Sequence, residues 1–282
     1  MPIQESIEQH YQHGNLLAAI ESALSELGKD KHSVTIADLA PVDEFHIGGR
    51  IATEHLLAKT NFSQKKHLLD IGCGLGGAAR FVSNKYQNQV TGIDLITEYI
   101  ETGNTLSNWL GLSNKVHLQQ GSALDLPFKN KPFDGAYLLH VGMNIEDKKQ
   151  LFKEVYRVLQ PGSQLAIYDV MQQKQYNNNY FNYPVPWASK AQTSFLATPS
   201  IYKKALIEAG FEVLMENNRQ DFSINFFKQL KEKTAKNGGL PPLGLHTLMQ
   251  KSTTDKIANM VQNIMLDYIA PVEIIAIKKH IN

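Results

Sequence analysis

Short apolar runs alternate with amphipathic segments between residues 66 and 170. The runs are nearly continuous in apolar residues, which is typical of parallel strands covered on both faces. They predict strands over His67–Ile71, Gln89–Asp94, Lys115–Gln119, Phe133–Leu139 and Ser163–Val170. Between the runs, Thr97–Leu110 and Asp147–Leu159 keep one face apolar at helical spacing, and a Pro-Gly pair at 161–162 is expected to end the second helix. The alternation predicts an α/β fold with a parallel sheet and right-handed crossovers.

Three stretches fall outside this alternation. Residues 1–60 carry helical patterns, best over Leu16–Leu27 and His46–Lys59; 171–198 is irregular and rich in Asn and aromatic residues; 221–268 has two helical patterns around a Gly-Gly-Leu-Pro-Pro break. Late strands are predicted over Phe211–Met215 and Val272–Ile277, which makes 221–268 an insertion between them. We therefore predict a core of residues 61–220 and 269–282, an N-terminal helical cap of residues 1–60, and further cap elements at 171–198 and 221–268.

Composition narrows the function classes. The chain has 282 residues, 43% of them hydrophobic, and a formal net charge of +1, so no overall field attracts nucleic acid or an anionic membrane. No stretch approaches the ~20 apolar residues of a membrane span, and the start of the chain lacks the apolar segment of a signal peptide. The lone Cys73 can form neither an intrachain disulfide nor a cysteine-based metal cluster. We expect a cytoplasmic protein without a metal site.

The clearest motif is a glycine-rich segment directly after the first strand, Asp-Ile-Gly-Cys-Gly-Leu-Gly-Gly at 70–77. Glycines allow a tight strand-to-helix turn and close approach of the backbone to a ligand, so this context predicts a nucleotide-type cofactor site. The spacing also fits a dinucleotide site, which leaves an NAD(P)-dependent oxidoreductase open. Asp70 favours a different cofactor, because a carboxylate repels a pyrophosphate but attracts the ammonium and sulfonium groups of S-adenosylmethionine.

Asp94 ends the second strand, some twenty residues beyond the glycine loop. An acidic residue at this position can accept hydrogen bonds from ribose hydroxyls, in NAD and in S-adenosylmethionine alike. It could instead cap the helix that begins near Thr97.

Together, residues 70–77, Asp94, Gly-Ser-Ala-Leu-Asp-Leu-Pro-Phe at 121–128 and Val-Leu-Gln-Pro-Gly at 158–162 resemble the class I S-adenosylmethionine-dependent methyltransferases. The small-molecule branches with the sarcosine/dimethylglycine and ubiquinone/menaquinone-biosynthesis methyltransferases are the most similar. The resemblance covers about residues 66–170. It implies a Rossmann-like, doubly wound, seven-stranded sheet, mostly parallel with the last strand antiparallel, a small-molecule acceptor, and S-adenosylhomocysteine as product.

The resemblance also implies roles for residues. Asp70 and the glycines would hold the methionine part of the cofactor, Asp94 the ribose, and Ser122 with Ala123 the adenine. Family members often have Asp where this chain has Ser122, although a Ser hydroxyl can accept the same hydrogen bond. The residues expected to contact the cofactor are Asp70, Gly72, Cys73, Gly74, Gly76, Asp94, Leu95, Ser122, Ala123 and His140.

Methyl transfer from a sulfonium mainly requires alignment of the acceptor, and a general base only where the acceptor arrives protonated. His140 follows the fourth strand at the edge where open α/β sheets bind ligands, so it could accept a proton, orient the cofactor or pack beneath it. Acceptor contacts are expected from Tyr11, His46, Gly49, Asn144, Tyr183 and Trp187. The last two belong to an aromatic group with Tyr176, Tyr180 and Phe181, which suits a methylated ammonium or a flat apolar acceptor. A non-catalytic binding protein of the same fold is a further alternative.

Overall fold

The computed structural model describes residues 3–63, 66–174 and 180–279. The strands are β1 (His67–Ile71), β2 (Gln89–Asp94), β3 (Val116–Gln120), β4 (Phe133–Leu139), β5 (Leu159–Gln172), β6 (Phe211–Asn218) and β7 (Ile269–Lys278). The helices are α1 (Ile3–Tyr11), α2 (Leu16–Glu26), α3 (Ile36–Asp43), α4 (Gly49–Leu57), α5 (Gly77–Tyr86), α6 (Thr97–Trp109), α7 (Lys148–Val158), α8 (Pro199–Ala209), α9 (Gln220–Lys236), α10 (Leu245–Met249) and α11 (Thr253–Met265).

The strands form one sheet in the order β3-β2-β1-β4-β5-β7-β6. Neighbours from β3 to β5 pair in parallel, whereas β7 runs antiparallel to both β5 and β6. The predicted fold class, a mostly parallel seven-stranded sheet with an antiparallel last strand, is confirmed.

Both faces of the sheet are covered, which explains the apolar runs. Successive residues of a strand point to opposite faces. In β4, Ala136 and Leu138 accordingly join an apolar cluster with α7 and α8, whereas Tyr137 and Leu139 join a second cluster with α4 and α5.

Several predicted boundaries were wrong. The late strands predicted at Phe211–Met215 and Val272–Ile277 extend over Phe211–Asn218 and Ile269–Lys278. The strand predicted from Ser163 begins at Leu159, directly after α7 ends at Val158, so the Pro-Gly pair lies inside β5 instead of between two elements. The ladder between β4 and β5 is irregular at this point, so it accommodates a proline that lacks an N–H. The helix predicted from His46 begins at Gly49, because Gly48 takes a left-handed conformation (φ +89°).

Helices α9 to α11 lie between β6 and β7, and α1 to α4 precede the sheet. Between β5 and α8, the described residues include a short 3₁₀ helix at Ala191–Thr193 and an isolated β-bridge between Val185 and Ala188. Tyr176 lies outside the described residues. Within the described ranges no helix is long and apolar enough to cross a membrane.

Candidate functional site

A cavity of about 1640 Å³ opens at the carboxyl ends of the central strands. Its inner side is formed by the segments after β1, β2 and β4, and its outer side by α9, α10, α11 and the loop between α9 and α10. Sites for one drug-sized ligand usually measure ~300–1,000 Å³. The cavity therefore has room for a cofactor and a second molecule.

Most residues expected to bind ligands do lie on this cavity. The lining includes Tyr11, His46, Gly49, Asp70, Gly72, Cys73, Gly74, Asp94, Leu95, Ser122, Ala123, His140, Asn144 and Trp187. Gly76 and Tyr183 are not part of it. Gly76 instead allows the left-handed start of α5 (φ +78°) close to Leu118, and the Tyr183 ring packs against Phe181 at 4.8 Å.

Besides Gly76, two further glycines in the loop between β1 and α5 take left-handed conformations. Gly72 has φ +68°, and a Cβ there would lie 2.3 Å from a methyl carbon of Val141. Gly74 has φ +52°, but a Cβ there would meet nothing within 4 Å. Gly72 thus serves close packing, whereas the space beside Gly74 belongs to the cavity.

Asp94 fixes this loop. One oxygen of its carboxylate accepts the Gly74 N–H at 2.8 Å, and the other accepts the Ile96 N–H at 3.0 Å, directly before α6. Burial raises the pKa of Asp94, and these backbone donors partly offset the effect. Each oxygen of a carboxylate can accept a second hydrogen bond, so the loop contacts leave capacity for a ligand's hydroxyl groups.

Asp70 is only 2% exposed and lines the cavity at the end of β1. Its Oδ2 atom is buried without a hydrogen-bond partner among the described residues. Burial raises the pKa of Asp70 well above its usual range; the nearby Tyr137 hydroxyl opposes this, and Glu44 and Asp94 add to it. A bound cation would supply the missing partner, whereas a pyrophosphate would add repulsion. The residues present therefore fit a positively charged ligand.

His140 combines a strained backbone with an unpartnered ring nitrogen. Its φ of +55° is unusual for a residue other than glycine, and its N–H donates to the Tyr168 carbonyl at 2.7 Å. The Nε2 atom is buried and has no partner in the described structure. The ring lies 6.0 Å from the His46 ring, and burial, together with that neighbour, holds the pKa of His140 well below its usual range. His140 is therefore neutral at physiological pH.

His46 is also neutral, since burial lowers its pKa to about 4. Its Nε2 atom lies 3.0 Å from both the Gly49 carbonyl oxygen and the Thr53 hydroxyl. Thr53 in turn donates to Glu44 at 2.8 Å, and Glu44 also pairs with Arg50.

The buried charges next to this network were not predicted from the sequence. Asp43 pairs with Arg80 at 2.6 Å, and both side chains are fully buried. Burial nevertheless raises the pKa of Asp43 to about 6. Asp43 and Glu44 directly precede the Phe-His-Ile-Gly-Gly segment, so their position beside a candidate motif was the available signal.

Three of the expected acceptor residues are joined by hydrogen bonds. The Tyr11 hydroxyl donates to Asn144 Oδ1 at 2.9 Å, and Asn144 Nδ2 donates to the Trp187 carbonyl at 2.9 Å. The Trp187 ring is buried, and its Nε1–H donates to Ser194 at 2.9 Å. Helix α1 is thereby tied to the rim of the cavity.

Residues 69–167 match the family model described as a methyltransferase domain. They contain the last three residues of β1, the glycine loop, Asp94, Ser122 and His140. The match confirms the resemblance to methyltransferases that the sequence motifs indicate.

Curated proteins that are similar to this chain include O-methyltransferases. The chain is 36% identical to O-methyltransferase resE of Aspergillus sclerotiorum over 124 residues, 43% of this chain and 47% of that protein. It is 28% identical to an O-methyltransferase of Pyrenophora dematioidea over 179 residues, 62% of this chain and 64% of that protein. The chain thus spans about half to two thirds of the length of these relatives.

Solved structures show the same fold over nearly the whole chain. Geranyl diphosphate C-methyltransferase from Streptomyces coelicolor A3(2) has a TM-score of 0.68 at 18% identity, covering 99% of this chain and 98% of that one. The [4+2]-cyclase SpnF has a TM-score of 0.70 at 19% identity, covering 97% of both chains. Because the fold also supports a cyclase, the reaction has to be argued from the site itself.

Proposed function

We propose that this chain is an S-adenosylmethionine-dependent methyltransferase that transfers a methyl group to a small-molecule acceptor. The observation that carries the proposal is the buried Asp70 carboxylate, whose Oδ2 atom has no hydrogen-bond partner in the described structure, beside an open glycine loop. The methyltransferase domain match at 69–167 and the curated O-methyltransferase relatives support it.

The chain's own residues fit each part of this cofactor. Asp70 would accept the α-ammonium, and the space beside Gly74 would admit the methionine part. Asp94 has hydrogen-bonding capacity for the ribose hydroxyls, and Ser122 with Ala123 would flank the adenine. When bound, S-adenosylmethionine supplies a methyl carbon whose bond to sulfur breaks, with the electron pair left on sulfur, as the bond to the acceptor forms.

We propose that His140 accepts the proton that the acceptor loses during methyl transfer. A neutral imidazole has one unprotonated nitrogen, so His140 can accept a hydrogen bond from the reacting group of the acceptor. This contact orients the acceptor, and the ring takes up the proton as the acceptor loses it. The cavity walls hold the acceptor in line and keep water away.

An NAD(P)-dependent oxidoreductase would place a pyrophosphate beside the buried carboxyl groups of Asp70 and Glu44 and the partly buried carboxyl group of Asp94. The repulsion argues against that alternative.

Calorimetry with the purified protein tests the assignment. S-Adenosylmethionine and S-adenosylhomocysteine are expected to bind, and NAD and NADP are not. Formation of S-adenosylhomocysteine is then followed over a panel of small metabolites with N, O and C nucleophiles. Binding of NAD without a response to S-adenosylhomocysteine would overturn the proposal, and cofactor binding without turnover on any acceptor would favour the non-catalytic alternative.

A further inference from the structure

The wall that leads from the histidine pair towards the outer side of the cavity is apolar. Ile47 directly follows His46, and Met143 lies three residues after His140. Both join one apolar cluster with Phe226 and Phe227 of α9 and with Ile257 and Met260 of α11. A molecule that reaches from His140 towards the insertion therefore contacts mainly aliphatic and aromatic side chains.

The apolar lining continues to the mouth of the cavity. Leu230 is 43% exposed, Leu240 60% and Met265 69%, and all three line the cavity. Large apolar side chains that are exposed together around an opening mark a site for an apolar ligand.

The polar groups on the acceptor side are largely occupied. Tyr11, Asn144 and the Trp187 indole all make hydrogen bonds within the protein. The lining contributed by α9, α10, α11 and the loop between α9 and α10 contains no carboxylate. The charged residues nearest to it, Lys228 and Lys231 on α9 and Glu146 and Asp147 after Asn144, are exposed. A charged group bound deep on this side would lie among apolar side chains without an ionic partner, which is strongly unfavourable. His140 Nε2 remains as a buried polar atom that lacks a partner.

We infer that the acceptor is an uncharged, mostly apolar molecule with one hydroxyl group facing His140 and a hydrocarbon part that runs between α9 and α11 towards the mouth. This inference rests on the proposed function. It adds the class of acceptor, and it separates this site from one built for a charged amine or an amino acid.

Binding of 4-alkylphenols tests the inference without turnover. The protein is saturated with S-adenosylhomocysteine, and dissociation constants are measured by calorimetry from 4-methylphenol to 4-hexylphenol. Affinity should rise about fourfold per methylene, as expected for burial of a CH₂ group. Tyramine, which matches 4-propylphenol in size, and 3-(4-hydroxyphenyl)propanoate, which is larger by two heavy atoms, both carry a charge and should bind at least tenfold more weakly than 4-propylphenol.

Variants locate the hydrocarbon part. Phe227→Ala and Ile257→Ala should reduce the gain per methylene, whereas Lys233→Ala, on α9 but outside the cavity lining, should leave it unchanged. If S-adenosylhomocysteine binds while affinity is independent of chain length, or the charged analogues bind as tightly as 4-propylphenol, the inference is wrong and the proposed function stands. If S-adenosylhomocysteine does not bind, the proposed function fails, whatever the phenols do.

Discussion

Asp70 and His140 line the polar end of the cavity, and Asp70 Oδ2 and His140 Nε2 are among the buried side-chain atoms without a hydrogen-bond partner within the described structure. Burial of an unsatisfied polar group costs about 1–3 kcal/mol. A ligand that supplies a cation to the first atom and a donor to the second recovers this free energy. The two atoms therefore define the ligand's chemistry more sharply than the glycines do, since glycines only provide space.

Cofactor binding should release a proton from Asp70. In the empty site, burial raises the pKa of Asp70 well above its usual range and favours the protonated form. A bound ammonium stabilises the carboxylate, so affinity for S-adenosylhomocysteine should rise with pH until the carboxyl is ionised before binding. Calorimetry at pH 7 in two buffers of different ionisation enthalpy measures the release, up to one proton per site.

The Asp70→Asn variant is the control. It should bind at least tenfold more weakly and lose the part of the proton release that comes from this residue. Binding to wild-type protein without net proton exchange would contradict the ionisation of Asp70 on binding.

Replacement of His140 should lower kcat while cofactor binding is retained. Asn tolerates the left-handed conformation of this position (φ +55°) and can form hydrogen bonds, but it does not take up a proton. His140→Asn is expected to reduce kcat for a hydroxyl acceptor by ~10²–10⁴ at neutral pH. The deficit should shrink as the pH approaches the acceptor's own pKa, because the acceptor then arrives ionised. An unchanged kcat at neutral pH would exclude His140 as the proton acceptor.

At the scale of elements, the loop between β1 and α5 connects the sheet to the site. It is held by Asp94 at one end and by the Gly72 and Cys73 N–H groups, which donate to the Ile93 carbonyl, at the other. Its shape thus depends on β2 as much as on its own glycines.

Two alanine substitutions should separate the roles of these glycines. Gly74→Ala meets only the left-handed strain of about 1–2 kcal/mol, because its Cβ would point into open space. The fold should persist, and cofactor affinity should fall at least tenfold because the methyl group occupies the cavity.

Gly72→Ala adds a clash with Val141, so its melting temperature should fall further. Thermal unfolding and calorimetry on both variants check this, and a Gly74→Ala protein that keeps its affinity would place the cofactor elsewhere.

Elements with a strong local signal could be predicted from the sequence. The bounds predicted for β1, β2 and β4 match the structure, because continuous apolar runs flanked by polar residues mark strands covered on both faces. Helix α3 was not singled out, although Thr35 and Asp38 form a capping box that the Thr-Ile-Ala-Asp sequence announces. The predicted start of β5 was wrong because a Pro-Gly pair usually indicates a turn, whereas here the pair lies inside the strand.

At the scale of the whole molecule, the polar end of the site could be predicted because parallel strands end at one edge of a sheet. This rule brings Asp70, Asp94 and His140 together without knowledge of the packing. It says nothing about how α3 packs on α5, so the Asp43–Arg80 pair, 37 residues apart, was missed. Gly76 and Tyr183 lie near the expected site in sequence but do not line the cavity: Gly76 begins α5, and the Tyr183 ring packs against Phe181.

The buried histidine network should make stability depend on pH in a defined direction. Burial lowers the pKa of His46 from 6.5 to about 4, so the unfolded chain takes up a proton below pH 6.5 that the folded protein does not. The contribution of His46 to the free energy of unfolding is therefore fully present above pH 6.5 and is lost as the pH falls to about 4. Asp43 and Asp169 act in the opposite direction, because burial raises the pKa of each to about 6 and their contribution is lost as the pH rises through that value.

Comparison with His46→Gln isolates the histidine from these carboxyl groups. The free energy of unfolding of wild type minus that of the variant should fall by about 3 kcal/mol between pH 7.5 and pH 4, measured by urea unfolding across that range. Thr53→Val removes one partner of the ring but keeps the ring, so it should lower stability while the titration of His46 persists. If the difference between wild type and His46→Gln does not change with pH, His46 has the same pKa in the folded protein as in the unfolded chain. The conclusion that burial keeps His46 neutral would then be wrong.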